Sequence, residues 1–371
     1  MNLSVLKETH PLEARSALSP AAAKKLKKLG ATILVESGAG AKADFLDEDF
    51  RSAGCEIVNT QQAWNADIVL GVNRPTSDQL KGMKAGSLLL SLFEPYAAKG
   101  ELALCAEKKL DVIALESVPR TSRAQSMDVL SSQANIAGYR AVLEAIAHYG
   151  RFVPMMMTSA GMAKPAQLVV LGAGVAGLQA IATARRMGAA VEAFDVRPEV
   201  KEQILSLGAK FMDLDLGETG TGQGGYAKEL SPEAKAKQQQ LLTERLKKAD
   251  IIITTANVPG RKAPTLITED AVKGMKRGSV IVDMAAPSGG NCPLTEKDKI
   301  VEKNGVTIIG LTNYASLVPS VASDFFGNNL VNLLGLILKK NDSGVSKTLD
   351  LQDDIIAGCL VVHEGKVRFN Q

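Results

Sequence analysis

Short apolar runs alternate with amphipathic stretches along almost the whole chain. Residues 3–6, 32–35, 56–58, 67–72, 87–92 and 112–115 have the length and character of strands. Between them the apolar positions return at helical spacing, most clearly over residues 20–29, which Ser19 opens and Gly30 stops. Strand–helix alternation of this kind predicts a parallel sheet covered on both faces. A longer helical segment runs from residue 127 to 148, and residues 151–165 read as a loop. The alternation then resumes, with strands at 169–171, 191–194, 210–214, 251–254, 280–284 and 307–309 and helices at 198–207 and 232–248. Residues 320–340 form another long helix that crosses back to the first block, and 355–369 read as a hairpin turning at Glu364-Gly365.

The second block opens on the most informative stretch, residues 167–177, QLVVLGAGVAG. A short apolar run of the kind that makes a strand buried on both faces breaks into a G-x-G-x-x-G and continues as a helix closed by Gly188. Gly172 allows the tight turn, Gly174 lets backbone approach a pyrophosphate, and Gly177 lets the helix pack close to the sheet. The helix N-terminus offers N–H groups to phosphate. A glycine fingerprint alone is weak, but here a second strand follows and ends in Asp195, roughly 20 residues on, where a carboxylate grips a ribose 2′-OH. Asp195 favours NAD(H) by repelling a 2′-phosphate. Arg197, two residues further, is either a solvated loop arginine or a partner for such a phosphate. No comparable glycines follow residues 3–6, so the first block is not expected to bind a dinucleotide in this way.

The pattern therefore predicts an α/β protein of two Rossmann-like, doubly wound parallel-sheet domains with a cleft between them. The first is discontinuous, residues 1–126 plus 320–371; residues 127–148 link it to the dinucleotide-binding domain, residues 149–319. A length of 371 residues suits two domains, each with its own core.

Charge and composition mostly exclude. Lys and Arg number 43 against 40 Asp and Glu, a net charge of +3 that is too balanced to argue for nucleic acid. Four cysteines (Cys55, Cys105, Cys292, Cys359) lack C-x-x-C spacing, and with three histidines they suggest neither a metal site nor a disulfide framework. The start, MNLSVLKETH, reads as a strand and a charged loop rather than a signal peptide. The longest strongly apolar run, LVNLLGLIL at 330–338, is interrupted by Asn332 and falls well short of the roughly 20 residues of a membrane span, so a soluble chain is expected. Residues 217–226, GETGTGQGGY, hold five glycines and end in a tyrosine. They read either as a ligand-covering loop or as plain surface linker.

Two further segments are more specific than the glycines: PRTSRAQSMDVLSSQANIAG at 119–138 and KETHPLEARSALSP at 7–20. With LGAGVAGLQAIATA, GGYAKE, TTANVPG and GGNCP, they resemble the NAD(H)-binding component of proton-translocating NAD(P) transhydrogenases, a family related to alanine dehydrogenase. The resemblance spans essentially the whole chain. It implies that Arg120, Gln125, Asp128 and Ser131 surround the nicotinamide and its ribose; on the residues alone the same stretch reads as a polar-capped helix start. It further implies a pyrophosphate turn at Gly172, Gly174, Val175 and Gly177, and an adenosine-ribose region at Asp195, Val196 and Arg197. Gly225 and Tyr226 then belong to a loop that closes over the nucleotide, with Gln238 and Asn257 as further contacts.

Alanine dehydrogenase oxidises an amine and needs a proton relay, ordinarily a histidine. The corresponding stretch here, SLLLSLFEPYAAK, has none, and where that enzyme places a substrate lysine VNRP offers Asn73 and Arg74. Arg15 remains. Hydride transfer between two nicotinamides needs positioning and no relay. The resemblance thus implies a transhydrogenase of the Si-specific/Re-specific type, with NADP(H) on a partner subunit and proton conduction in membrane-spanning subunits. It also implies a homodimer lying on the cytoplasmic face of the inner membrane without inserting into it, no nucleic-acid partner and no metal.

Overall fold

The computed structural model describes residues 1–214, 231–257, 260–341 and 344–369, with Pro198, Lys235 and Gln238 described by backbone alone. The chain divides into two compact units, Met1–Gln133 with Ala315–Gln371, and Ala134–Tyr314.

In the first unit the apolar runs pair into one sheet. Its order is Lys366–Val367, Leu360–His363, Asp111–Ala114, Leu88–Leu92, Ile68–Asn73, Asn2–Val5, Thr32–Glu36 and Glu56–Val58. The six strands from Asp111–Ala114 to Glu56–Val58 run parallel, and the two C-terminal strands add antiparallel at one edge. Central strands are apolar at nearly every position because helices cover both faces: Ile68, Val69, Leu70, Leu88, Leu89 and Leu90 are all fully buried. Helix Pro20–Lys27 starts where Ser19 Oγ accepts from the Ala22 N–H, and it buries Ala22, Ala23 and Leu26. The long helix Pro319–Ile337 returns from the other end of the sequence and buries Phe326, Leu330, Leu333, Leu334 and Ile337 in the same core.

The second unit has the order Lys210–Phe211, Ala190–Phe194, Gln167–Leu171, Ile251–Thr254, Val280–Asp283, Val306–Ile309, Ile300–Lys303, parallel except at the last pair. Numbered from Gln167–Leu171, its six parallel strands lie in the order 3-2-1-4-5-6, the doubly wound order, whose direction of winding reverses between Gln167–Leu171 and Ile251–Thr254; the antiparallel Ile300–Lys303 adds at the edge. The first unit repeats that order, with its reversal between Asn2–Val5 and Ile68–Asn73. Two doubly wound parallel sheets are therefore present, as the alternation predicts.

Three segments depart from the sequence pattern. Residues 151–165 include an antiparallel pair, Met156–Thr158 with Gly161–Ala163. Its residues are largely exposed, so backbone pairing holds it without the burial that leaves an alternating signature. Residues 355–369 are only in part a hairpin. Leu360–His363 does pair with Lys366–Val367 around Glu364 and Gly365, both at positive φ, but Asp354–Cys359 is a helix. Asp353 caps it, and the buried Ile355, Ile356 and Cys359 have helical spacing. The long helix stops at Ile337, and Leu338–Asn341 turns into a strand paired with Gly344–Lys347.

Candidate functional site

The glycine turn sits at the winding reversal of the second unit. Strand Gln167–Leu171 ends at Gly172, whose φ of +95° is strained for any residue with a Cβ. The turn is fastened on both sides. Gly172 N–H donates to Phe194 O at 2.8 Å, and Thr255 Oγ1 donates to Gly172 O at 3.0 Å from the far side of the reversal. Helix Val175–Arg186 then begins, with Gly174 at its N-cap and no side chain capping it. A Cβ on Gly177 would lie 1.9 Å from Gly172 O, whereas a Cβ on Gly174 would meet nothing within 4 Å. Gly177 is thus demanded by packing. Gly174 is exposed, and the open approach at a bare helix N-terminus is what a pyrophosphate requires.

Asp195 follows the neighbouring strand Ala190–Phe194 and is 8% exposed. Its Oδ2 accepts from Ala173 N–H at 2.8 Å, which ties it to the glycine turn, and from Arg197 Nη2 at 2.9 Å. Its Oδ1 accepts from Arg197 N–H and Nε, both at 2.9 Å. Burial by itself would push this carboxyl up, but the Arg197 guanidinium and the backbone donors outweigh it and hold it below the usual carboxylate range. Arg197 is therefore neither a free loop arginine nor an unengaged cation: it is bound to Asp195. Val196 lies between them, half-buried.

Asn257 is exposed just beyond strand Ile251–Thr254. The residue that organises its segment is Asn291, which lies within GGNCP and which no spacing in the sequence singles out. Fully buried, Asn291 donates from Nδ2 to Ala256 O at 2.8 Å and Pro264 O at 2.7 Å, and its Oδ1 accepts from Thr254 Oγ1 at 2.5 Å. Asp283, also fully buried, accepts from the Asn291 and Cys292 N–H groups and from Thr295 Oγ1. Gly225 and Tyr226 lie outside the described residues. Gln238 falls in helix Pro232–Leu246, but its side chain is likewise outside them.

Arg120, Gln125, Asp128 and Ser131 belong to the first unit. Arg120 and Gln125 are exposed, Gln125 on the short 3-10 segment Ser122–Met127. Asp128 follows that segment and caps helix Val129–His148. Its Oδ1 accepts from Ser131 N–H at 2.9 Å and its Oδ2 from Ser131 Oγ at 2.5 Å. Capping, the plainer of the two readings of this stretch, is what Asp128 and Ser131 do locally. Arg123 anchors the turn to Asp353, with Nη1 donating to Oδ2 at 2.8 Å, and also pairs with Asp354.

At the winding reversal of the first unit there is a charged network in place of a glycine turn. Arg15 Nε and Nη2 form a fork on the two oxygens of Glu13 at 2.8 and 2.7 Å, and Nη1 donates to Gln133 Oε1 at 2.9 Å. Asn73 Nδ2 donates to both Glu8 and Glu13 at 2.9 and 3.0 Å. Glu13 is fully buried and Arg15 nearly so. Burial would raise the Glu13 carboxyl, but the Arg15 guanidinium more than offsets it and holds it at about 2. Among the described residues no group of three or more His, Cys, Asp or Glu could hold a metal ion, and no helix is long and apolar enough to cross a membrane.

Fold and site together define a two-unit α/β protein with a dinucleotide-type turn in its second unit. The chain belongs to the alanine dehydrogenase/PNT family: the family's N-terminal domain matches residues 4–137 and its C-terminal domain residues 141–370. It is 44% identical to NAD(P) transhydrogenase subunit alpha of Haemophilus influenzae, over 99% of this chain and 71% of that one. The crystal structure of transhydrogenase from Sinorhizobium meliloti superposes with a TM-score of 0.87 at 39% identity, covering 99% of both chains. Alanine dehydrogenase of Mycolicibacterium smegmatis is a more distant relative, 30% identical over 96% of this chain and 91% of that one.

Proposed function

We propose that this chain is the NAD(H)-binding subunit of a proton-translocating NAD(P) transhydrogenase of the Si-specific/Re-specific type. It carries NAD(H), while NADP(H) and the proton path reside on partner subunits. The observation that carries the reading is the winding-reversal turn of the second unit, where open backbone at Gly174, a bare helix N-terminus and Asp195 suit a dinucleotide. Bound NADH supplies a hydride at its nicotinamide ring; the protein supplies position. Gly172, Gly174, Val175 and Gly177 hold the pyrophosphate, Asp195 and Val196 the adenosine ribose, and Asn257 and Gln238 add contacts. Gly225 and Tyr226, outside the described residues, are assigned to the nucleotide site on the resemblance alone. Arg120 and Gln125 fix the carboxamide, and Asp128 and Ser131, already locked as a cap, present fixed oxygens to the ring and its ribose. Each carboxylate oxygen of Asp195 already accepts two donors from protein, so a ribose hydroxyl competes with Arg197 for it.

The network at Arg15 favours this reading over amino-acid oxidation. Arg15 commits three of its five N–H donors to Glu13 and Gln133 and is only 6% exposed, so little of the guanidinium is presented to a substrate carboxylate. Asn73, in place of a lysine, bridges Glu8 and Glu13. We place the protein as a homodimer on the cytoplasmic face of the inner membrane, docked to its partner subunits and not inserted.

The test mixes the protein with its candidate NADP(H)-binding partner and follows single-turnover hydride transfer to an NAD analogue. Transfer in the mixture, with no NAD reduction by alanine or similar amino acids, supports the proposal. Amino-acid-dependent NAD reduction replaces it with a dehydrogenase. Tight NADH binding with no transfer in any mixture leaves a non-catalytic binding module. Gln125→Asn refines the test: misplacing the ring by about 1 Å lowers the rate on the order of a hundredfold. Losing one neutral hydrogen bond changes binding by only about 0.5–1.5 kcal/mol.

A further inference from the structure

The turn that carries Gln125 is held by a residue pair roughly 200 positions away in sequence. On the long helix Pro319–Ile337, Asn329 and Asn332 are one turn apart, and both donate from Nδ2 to the same acceptor, Ser126 O, at 2.8 and 3.0 Å. Two donors fill both lone pairs of that carbonyl and fix the plane of the peptide between Gln125 and Asp128. Asn329 also works in the other direction: its Oδ1 accepts from Ser132 Oγ at 2.7 Å, in the first turn of the helix that Asp128 caps. One buried amide thus brackets Asp128, gripping the chain two residues before it and four after it. Apolar burial alone already fastens the long helix to the core through Phe326, Leu330, Leu333, Leu334 and Ile337. The two asparagines are therefore spare for docking the helix, and what they determine is where the turn sits.

We propose that Asn329, with Asn332 as its second hand, is a positioning residue for hydride transfer. It sets the location of Gln125 and Asp128 without touching the nucleotide. This rests on the proposed function and adds to it a residue that acts through the turn.

The experiment compares Asn329→Ala, Asn332→Ala and the double variant with the unmodified protein, each with its NADP(H)-binding partner. Three quantities are read: NADH affinity, single-turnover transfer at saturating nucleotide, and amide exchange over residues 122–132. Each single variant leaves one donor on Ser126 O. The expected result is a rate loss up to about tenfold for each single and about a hundredfold or more for the double, above the product of the singles, with affinity within about fivefold. Exchange over the turn should accelerate in the same order. Asn329→Asp guards against a double variant that does not fold. It keeps the size and the acceptor for Ser132 but sets a carboxylate against Ser126 O; the melting temperature should fall, and transfer should be slowed in protein that still melts cooperatively above the assay temperature. An unchanged rate despite faster exchange overturns the proposal, and so does a parallel fall of rate and affinity. If the unmodified protein transfers no hydride, the functional reading has failed instead. The positioning role is then read from NADH-induced protection of residues 122–131, which the double variant should lose and whose retention overturns it.

Discussion

Two carboxylates carry the predictions at the scale of single residues. If Asp195 bonds the ribose as proposed, removing its side chain deletes a charged hydrogen bond worth on the order of 1.5–3 kcal/mol, so Asp195→Ala should weaken NADH binding at least about tenfold. The fork on Arg197 adds a second consequence. Once released, that guanidinium is free to pair with a 2′-phosphate, so NADPH affinity should rise in the same variant. Titration of both nucleotides checks this, and equal losses for the two would refute it. Glu13 governs acid sensitivity. Its folded-state pKa, about 2, lies below the ordinary value. Its contribution to stability is therefore complete above the unfolded value of about 4.3 and is lost as pH falls through that window. Neighbouring Glu8 is raised by burial and works with the opposite sign, losing its contribution as pH rises. In Glu13→Gln the decline of melting temperature between about pH 5 and 3 should be shallower. At neutral pH the same variant should be less stable by about 3–5 kcal/mol, because Arg15 stays buried without its partner.

At the scale of elements, the glycine turn separates folding from binding. A methyl on Gly177 would have to displace the Gly172 carbonyl, and overpacking of this kind costs roughly 1–3 kcal/mol. Gly177→Ala should therefore lower the denaturant midpoint of the protein. Gly174, at φ −76° with open space at its Cβ, accepts alanine without strain, so Gly174→Ala should leave stability within about 0.5 kcal/mol. It should nonetheless weaken NADH binding if the pyrophosphate sits as proposed, since the methyl would occupy the open space beside the helix N-terminus. Denaturation and titration on the two variants give opposite rankings if the roles are as described. Similar effects on both quantities would remove the distinction.

At the scale of the whole molecule, the prediction concerns proton chemistry. The residues proposed to orient the ring are an arginine, a glutamine and a carboxylate locked with a serine in a helix cap; none is placed as a general acid or base. Single-turnover transfer at saturating nucleotide should therefore be flat from about pH 6 to 9, where a positioned acid or base would produce a bell-shaped profile. A pronounced optimum in that range would mean that a titrating group has been missed. Stopped-flow transfer with the partner subunit present measures it directly.

The sequence by itself determined the two α/β units, because a strand covered on both faces must be apolar along its length and its helices must follow at 3.6-residue spacing. It also determined the glycine turn and the acidic residue closing the second strand, since backbone geometry and charge admit few residue types there. Motifs long enough to be specific marked 119–138 as important, but the type of residue alone left open whether Asp128 and Ser131 cap a helix or face a ligand. Tertiary structure showed the cap, and it decided everything that depends on partners distant in sequence. Arg197 is bound to Asp195, Arg15 is enclosed by Glu13 and Gln133, and Asn291 gathers Ala256 with Pro264. Asn329 and Asn332 close on Ser126 from a helix that reads, in sequence, as an apolar stretch with asparagines in it. Such side chains carry no periodic signature: a hydrogen bond is directional and short-ranged, so its partner is fixed only when folding brings two chosen atoms within about 3 Å.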